Sequence, residues 1–248
     1  MADGIYVSMC GAAARAEQLE SVADNLANIQ TRGFKASRPA FESFIPLGGK
    51  YDKSYPAAVA TAIDLRNGPT TSSGNPLDVL PSDGSFLAVG TPGGGVAYTR
   101  DGRMTLDADR RLVVGGQPVL SKDGKPIVVP MDSAPQIDPN GRVRAILESP
   151  SERARRPDPV ELGEIATFRL TGTVDRAGAA LLKPGAGGAA VPVPDTQLEV
   201  GTVELANTAP LEGTVQMIAA QRSFEASMQA IQTYRSLDQT AAALGRAK

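Results

Sequence analysis

Few residues in this chain are of a type and spacing that could do chemistry. Gly90-Thr91-Pro92-Gly93-Gly94-Gly95 is rich enough in glycine to cradle a phosphate. However, no Gly-Lys-Ser/Thr follows it, and no helix N-terminus is expected behind it to complete an anion site. A hairpin loop is the plainer reading. Asp101, Asp107 and Asp109 imitate a calcium loop, but the EF-hand spacing and its closing glutamate are missing, so turn residues are the better account. Cys10 is the one cysteine. It sits among small residues in a helical pattern and reads as a packed side chain rather than a nucleophile. The sequence has no histidine, which removes the commonest general base and zinc ligand. No Gly-x-Ser-x-Gly elbow and no Ser-x-x-Lys occurs. With 27 acidic residues a chance carboxylate pair is inevitable, and nothing singles one out. Neither a catalytic, a metal nor a cofactor site is expected.

The elements around these residues are easier to read. Ile5, Ala12, Leu19 and Leu26 are seven apart, with Met9, Val22 and Ile29 beside them, which predicts an amphipathic helix of about 25 residues, or about 37 Å. Gly33 suits the left-handed position after that helix. Ile29 and Phe34 would then make the apolar contact of a Schellman motif, with Arg32 and Lys35 at the negative end of the dipole. A second helix of about 35 residues is expected from Asn207-Thr208-Ala209-Pro210 to Gly245, with Asn207 or Thr208 as cap and Pro210 in its first turn. Met217, Phe224 and Ile231 are seven apart. Val215, Ile218, Met228, Tyr234, Leu237 and Leu244 are read as lying close to the same stripe. A helix of this length favours coiled-coil-like packing, either on the first helix or between subunits.

Between the helices, short apolar runs such as Phe86-Leu87-Ala88-Val89 and Leu112-Val113-Val114 alternate with Asp83-Gly84, Asp101-Gly102, Gly115-Gly116 and Asp123-Gly124. Asp-Gly between strands signals hairpins, and the spacing predicts an antiparallel β domain. The fold class is therefore α+β: long N- and C-terminal helices forming a coiled-coil-like helical domain, plus a central antiparallel all-β domain. The expected divisions are an N-terminal assembly helix at 1–35, an extended linker at 36–74, the β domain at 75–206 and a C-terminal assembly helix at 207–248. A net charge of −2 points to neither nucleic acid nor an anionic membrane. No secretory signal and no membrane-spanning run is visible.

Asn25-Leu26-Ala27-Asn28 with Thr31-x-Gly33-Phe34-Lys35 resembles the N-terminal signature of the bacterial flagellar basal-body rod proteins, the axial family that includes the hook. Asn75-Pro76-Leu77-Asp78-Val79, Asp83-Gly84-x-Phe86 and Tyr98-Thr99-Arg100-Asp101-Gly102 resemble its central block. Leu106-Asp107 and Gly116-x-Pro118-Val119-Leu120 extend the match, and Met217-Ile218 with Gln221-Arg222-Ser223-Phe224-Glu225 resemble its last helix. Within the family, the opening Ile5-Tyr6-Val7-Ser8-Met9-x-Gly11-Ala12 is similar to the proximal rod type, with the distal rod or hook type as the alternative. Where members carry Ser-Asn-Val, this chain has Ala206-Asn207-Thr208.

The resemblance implies a structural subunit, not an enzyme, that polymerises helically through its terminal helices as part of a drive shaft. It implies partners among copies of itself, proximal and distal rod proteins, hook-side neighbours and the flagellar type III export apparatus. It also implies a basal-body location across the periplasm, reached without a cleaved signal peptide. The assembly interface is expected at Ile5, Met9, Ala12, Leu19, Val22, Asn25, Leu26, Asn28, Ile29, Gly33, Phe34, Asn207, Met217, Phe224, Met228, Ile231, Leu237 and Leu244. For Asn25 and Asn28 the expectation is a contact with a neighbouring subunit, with a helix-end bond inside the chain as the alternative. A secreted adhesin or carbohydrate-binding β module is the other class. It should show exposed loop aromatics, whereas aromatics are 4% of this chain, and it leaves the helical ends unexplained.

Overall fold

The computed structural model describes residues 2–44, 55–147 and 159–246, with side chains from 5–40, 61–147 and 159–243. The architecture is α+β, as the periodicities require. The chain divides into two compact units: residues 1–27, 37–64 and 208–248 form one, and residues 28–36 and 65–207 form the other.

The helical unit is built from α1 (Ala2–Ala27), the strands β1 (Ser37–Phe44) and β2 (Tyr55–Ile63), and α2 (Pro210–Arg246). The first helix ends earlier than its apolar pattern suggests, and α2 runs through Gly245. The stretch 36–74, expected as an extended linker, holds β1 and β2 paired antiparallel, with a bulge between Ala40 and Phe41. Residues 45–54 of that stretch lie outside the described residues. The pairing has a local cause: β1 and β2 lie close in sequence, and each satisfies the other's backbone groups.

α1 buries two faces. Ala14, Ser21 and Asn25, seven and four residues apart, share one, and it is turned to the hairpin: Ser21 Oγ and Asn25 Nδ2 both donate to the Ser37 carbonyl, at 3.1 and 2.8 Å. Ala12, Leu19, Val22 and Leu26 share the other, which is turned to α2. Leu26 packs beside Gly213, whereas Met9 and Ala12 meet Met228 and Ile231, so the two helices run antiparallel.

The β unit holds the remaining strands. β3 (Thr70–Ser72), β4 (Val79–Pro81), β5 (Phe86–Gly90) and β6 (Val96–Thr99) are followed by β7 (Met104–Leu106), β8 (Leu112–Val114), β9 (Gln117–Pro118), β10 (Ser133–Ile137), β11 (Arg142–Leu147) and β12 (Val160–Glu164). Then come β13 (Thr167–Thr171), β14 (Val174–Arg176), β15 (Leu181–Pro184), β16 (Ala189–Pro192), β17 (Leu198–Val200) and β18 (Thr202–Glu204). The largest sheet has the order β14-β15-β6-β5-β13-β16, and the small sheets β10-β11-β12, β7-β8-β9, β17-β4 and β18-β3 complete the unit. Every described pairing is antiparallel. Val79, Leu87, Val89, Met104, Leu112, Val119, Ile127, Val143, Ile165 and Leu198 are among the residues that close one apolar core.

The Asp-Gly signals resolve into different structures. Asp83 and Gly84 both take positive φ between Ser82 and Ser85, whose N–H donates back to the Ser82 carbonyl at 3.0 Å: a type I′ turn, but not a hairpin, because β4 pairs with β17 while β5 pairs with β6 and β13. Residues 91–95 form the hairpin loop between β5 and β6, closed by the Thr91 N–H on the Gly95 carbonyl. Asp101-Gly102 is not a turn of that kind. A Cβ at Gly102 would fall 1.5 Å from the Val79 carbonyl oxygen, so close backbone approach requires the glycine there.

Candidate assembly site and the buried ion cluster behind the signature

The N-terminal signature does not end α1 with a Schellman motif. That motif would send the Phe34 N–H back to Ile29, but it donates to the Thr31 carbonyl, and the Gly33 N–H donates to Glu204, 2.9 Å away. Gly33 has φ +64°, and a Cβ on it would lie 2.1 Å from the Asp101 nitrogen. The glycine is therefore needed by a segment 68 residues further on, not by the helix. Phe34 is wholly buried and packs with Ala36 and Ala206. The Arg176 guanidinium lies 4.4 Å from its ring centre, and that residue's Nη2 donates to the Lys35 carbonyl at 2.6 Å.

Lys35 is likewise not a surface charge at a helix end. Its side chain is 1% exposed, and Nζ donates to Glu204 Oε1 and to the Arg66 carbonyl, both at 2.7 Å. Glu204 is fully buried and binds Arg100 on its other oxygen: Arg100 Nε lies 2.7 Å and Nη2 2.6 Å from Glu204 Oε2. The Gly68 N–H donates to Oε1 at 2.8 Å. Arg100 Nη1 donates to the Pro81 and Ser85 carbonyls. Burial pushes the Glu204 carboxyl up, but Arg100, the Gly68 N–H and Lys35 outweigh it and hold its pKa below the ordinary 4.5. Nearby, burial is the larger influence on Asp101 and pushes its carboxyl up, against the Arg103 N–H and the Arg32 and Arg103 charges.

The cluster thus joins the N-terminal signature (Lys35), the central block (Arg100) and β18 (Glu204) inside the β unit. Sequence reading missed Glu204, Arg66 and Arg176. The only available signal was that Gly201-Thr202-Val203-Glu204 places a carboxylate on a short apolar strand.

The two signature asparagines hold backbone within their own units. Asn25 Oδ1 accepts from the Ser37 N–H at 2.7 Å while its Nδ2 donates to the Ser37 carbonyl, so one side chain bonds both backbone groups of the first residue of β1. The bond lies inside the chain, but it runs to β1 and not to the helix end given as the alternative. Asn207, expected as a cap of α2, instead accepts from the Ala36 N–H at 2.7 Å and donates to the Arg66 carbonyl at 3.1 Å. The first backbone bond of α2 runs from Gly213 to Ala209, with Pro210 in the first turn as expected. Asn28 sits in the turn after α1, accepting from Thr31 through both its backbone and its side chain.

The remaining expected interface residues divide by face. Ala12, Val22 and Ile231 are buried, and Ile5, Leu19, Leu26, Ile29, Met217 and Phe224 are half-buried. Met9, Met228 and Leu237 are exposed. The side chain of Leu244 lies outside the described residues. Val215 and Ile218, read as neighbours of the Met217 stripe, are on the opposite face of α2. Together with Leu211, which is 79% exposed, they form an apolar strip over the first turns. Along residues 210–243 of α2, Gly213, Ala220 and Ile231 are the buried positions.

Among the described residues, no group of three or more His, Cys, Asp or Glu is placed to hold a metal, and no helix is long and apolar enough to cross a membrane. The fold and this arrangement define an α+β protein with a β body, a buried ionic core and terminal helices that leave apolar surface uncovered. The chain belongs to the flagellar basal-body rod protein family. Residues 5–35 match the model for flagella basal body rod proteins, and residues 199–244 match the C-terminal model of the FlgEFG basal body rod proteins. It is similar to the flagellar basal-body rod protein FlgF of Escherichia coli K12, with 31% identity over 240 residues and 93% of each chain covered. The FlgF of Mesorhizobium japonicum is 29% identical over 99% of each chain. The FlgG of Borreliella burgdorferi is 29% identical over 94% of this chain and 95% of that one.

Proposed function

We propose that the chain is a structural subunit of the proximal flagellar basal-body rod, assembling helically through α1 and α2 with copies of itself and with other rod proteins. The observation that carries this reading is the poor burial of α2. A helix of 37 residues with three buried positions along its described side chains gains little from its own chain. Isolated helices of modest propensity are marginal in water, and most helix stability comes from packing an apolar face. Leu211, Val215, Ile218, Met228 and Leu237 offer such faces to a neighbour. A heterologous contact that does not close into a ring builds a helical filament. In this reading the β unit is the rigid body and the helices are the joints. The subunit is exported by the flagellar type III apparatus and works in the periplasm, without catalysis.

Similarity to FlgF proteins supports the proximal position, and similarity to FlgG proteins makes the distal rod the competing one. Complementation separates them. The chain should restore rods and motility to a strain lacking its FlgF-type gene and fail in one lacking FlgG. Intact rods and normal swimming after deletion of the chain's own gene would remove the rod reading.

A further inference from the structure

The helical unit carries two uncovered apolar features near opposite ends, with opposite charge beside them. Near the end where Leu26 meets Gly213, the start of α2 exposes Leu211, Val215 and Ile218 on the face turned away from α1. Exposed acids stand on the same end: Glu20 and Asp24 on α1, and Glu212 on α2. Near the other end, Met9 and Ala12 of α1 and Met228 and Ile231 of α2 line an apolar groove, with Gln232 and the exposed Arg235 on its rim. The groove lies about 30 Å along α2 from Leu211, at 1.5 Å per residue, so no chain can fill its own groove with its own strip.

We propose that these two features are the halves of one head-to-tail contact. Leu211 and Val215 of one copy seat in the Met9–Met228 groove of the next, and Glu212 faces Arg235. This deepens the rod reading above and rests on it for the setting in which copies meet. The occupant is a second copy of this chain because both halves are present on it and their charges match. Glu212 at the acidic end meets Arg235, the cation lining the groove, with Glu225 lying one turn before Met228, whereas pairing the acidic ends would set Glu20, Asp24 and Glu212 against their own copies. The two halves differ, so the contact is heterologous and propagates instead of closing. A single groove buries little area, and a rim ion pair contributes only about 0.2–1 kcal/mol. One contact is therefore weak, and an array holds by repetition.

Two full-length variants test this in a strain lacking the native gene. Both carry Cys10→Ser, one adds Leu211→Cys and the other Met228→Cys, and basal bodies from cells expressing both are treated with a short bismaleimide. The expected product is a species of twice the chain mass that requires both variants and is absent from cells expressing either alone. Glu212→Arg or Arg235→Glu alone should lower its yield about two- to fivefold, and the double reversal should restore it. Rods that form without the cross-link would overturn the proposal, as would self-linking of Leu211→Cys or an adduct to a different rod protein. If the deletion strain builds intact rods, the rod reading fails. The contact is then decided by the same cross-link on the purified chain at raised concentration, where the mixed product sustains it and its absence removes it.

Discussion

In the β unit, side chains spread from Val79 to Leu198 close one core, and the buried charges of Lys35, Arg100 and Glu204 are paired with one another. In the helical unit, α2 runs for 37 residues over Gly213, Ala220 and Ile231 and leaves leucine, valine, isoleucine and methionine in water. The first pattern is that of a body that folds by itself. The second is that of a surface whose burial is finished by something else. Within one chain, stability and assembly are thus assigned to different segments. The chain changes from one unit to the other at 27/28, 36/37, 64/65 and 207/208.

Amide exchange on the dilute monomer gives the sharpest contrast. Core amides of β5, β6 and β8 should open only with global unfolding, while those of α1 and α2 exchange at least about a hundredfold faster. Residues 33–36 should follow the β unit, because their backbone is bonded to Glu204 and Asn207. Equal protection in helices and core would break the comparison.

Next in size is Glu204→Ala, which leaves Lys35 and Arg100 buried without their anion. A loss of about 3–5 kcal/mol is expected in denaturant unfolding of the β unit. Because the folded Glu204 pKa is depressed, its ionisation contributes stability that is complete above the unfolded value near 4.5 and is lost as pH falls through the lower folded one. Wild-type acid unfolding should therefore shift to higher pH in Glu204→Gln. A variant as stable as wild type throughout would show that the cluster contributes nothing net. Asn25→Ala removes both bonds to Ser37 and should cost about 1–3 kcal/mol, read as melting of the helical unit. Smallest in the monomer is Ile218→Gln, within about 0.5 kcal/mol of wild type. If the exposed strip is an assembly surface, this substitution should still abolish rod formation in cells. A motile strain carrying it would return that face to ordinary surface.

Much of the fold was legible before any coordinates. Heptad spacing marked both helices, Pro210 marked the start of α2, and Asp83-Gly84 marked a turn, although the strands it joins pair elsewhere. What misled was local reasoning applied to residues with distant partners. Gly33 and Lys35 looked like helix-end devices because their neighbours fit one. Glu204 lies 169 positions from Lys35 in the chain, and no period of 2 or 3.6 reports a pair so far apart. Val215 and Ile218 are close to Met217 in sequence, but 100° per residue carries them to the other side of the helix.

The sequence alone determined the α+β class, the positions of the helices and the resemblance to rod proteins, because apolar periodicity and turn chemistry are properties of short segments. Only the tertiary structure decided why the signature residues are of their types. Gly33 avoids the Asp101 backbone, Lys35 and Arg100 neutralise a fully buried carboxylate, Asn25 bonds the backbone of Ser37, and Asn207 bonds the backbone of Ala36 and Arg66. These roles depend on which groups meet after the chain has folded back on itself. That is set by closure of the whole core, not by any local pattern.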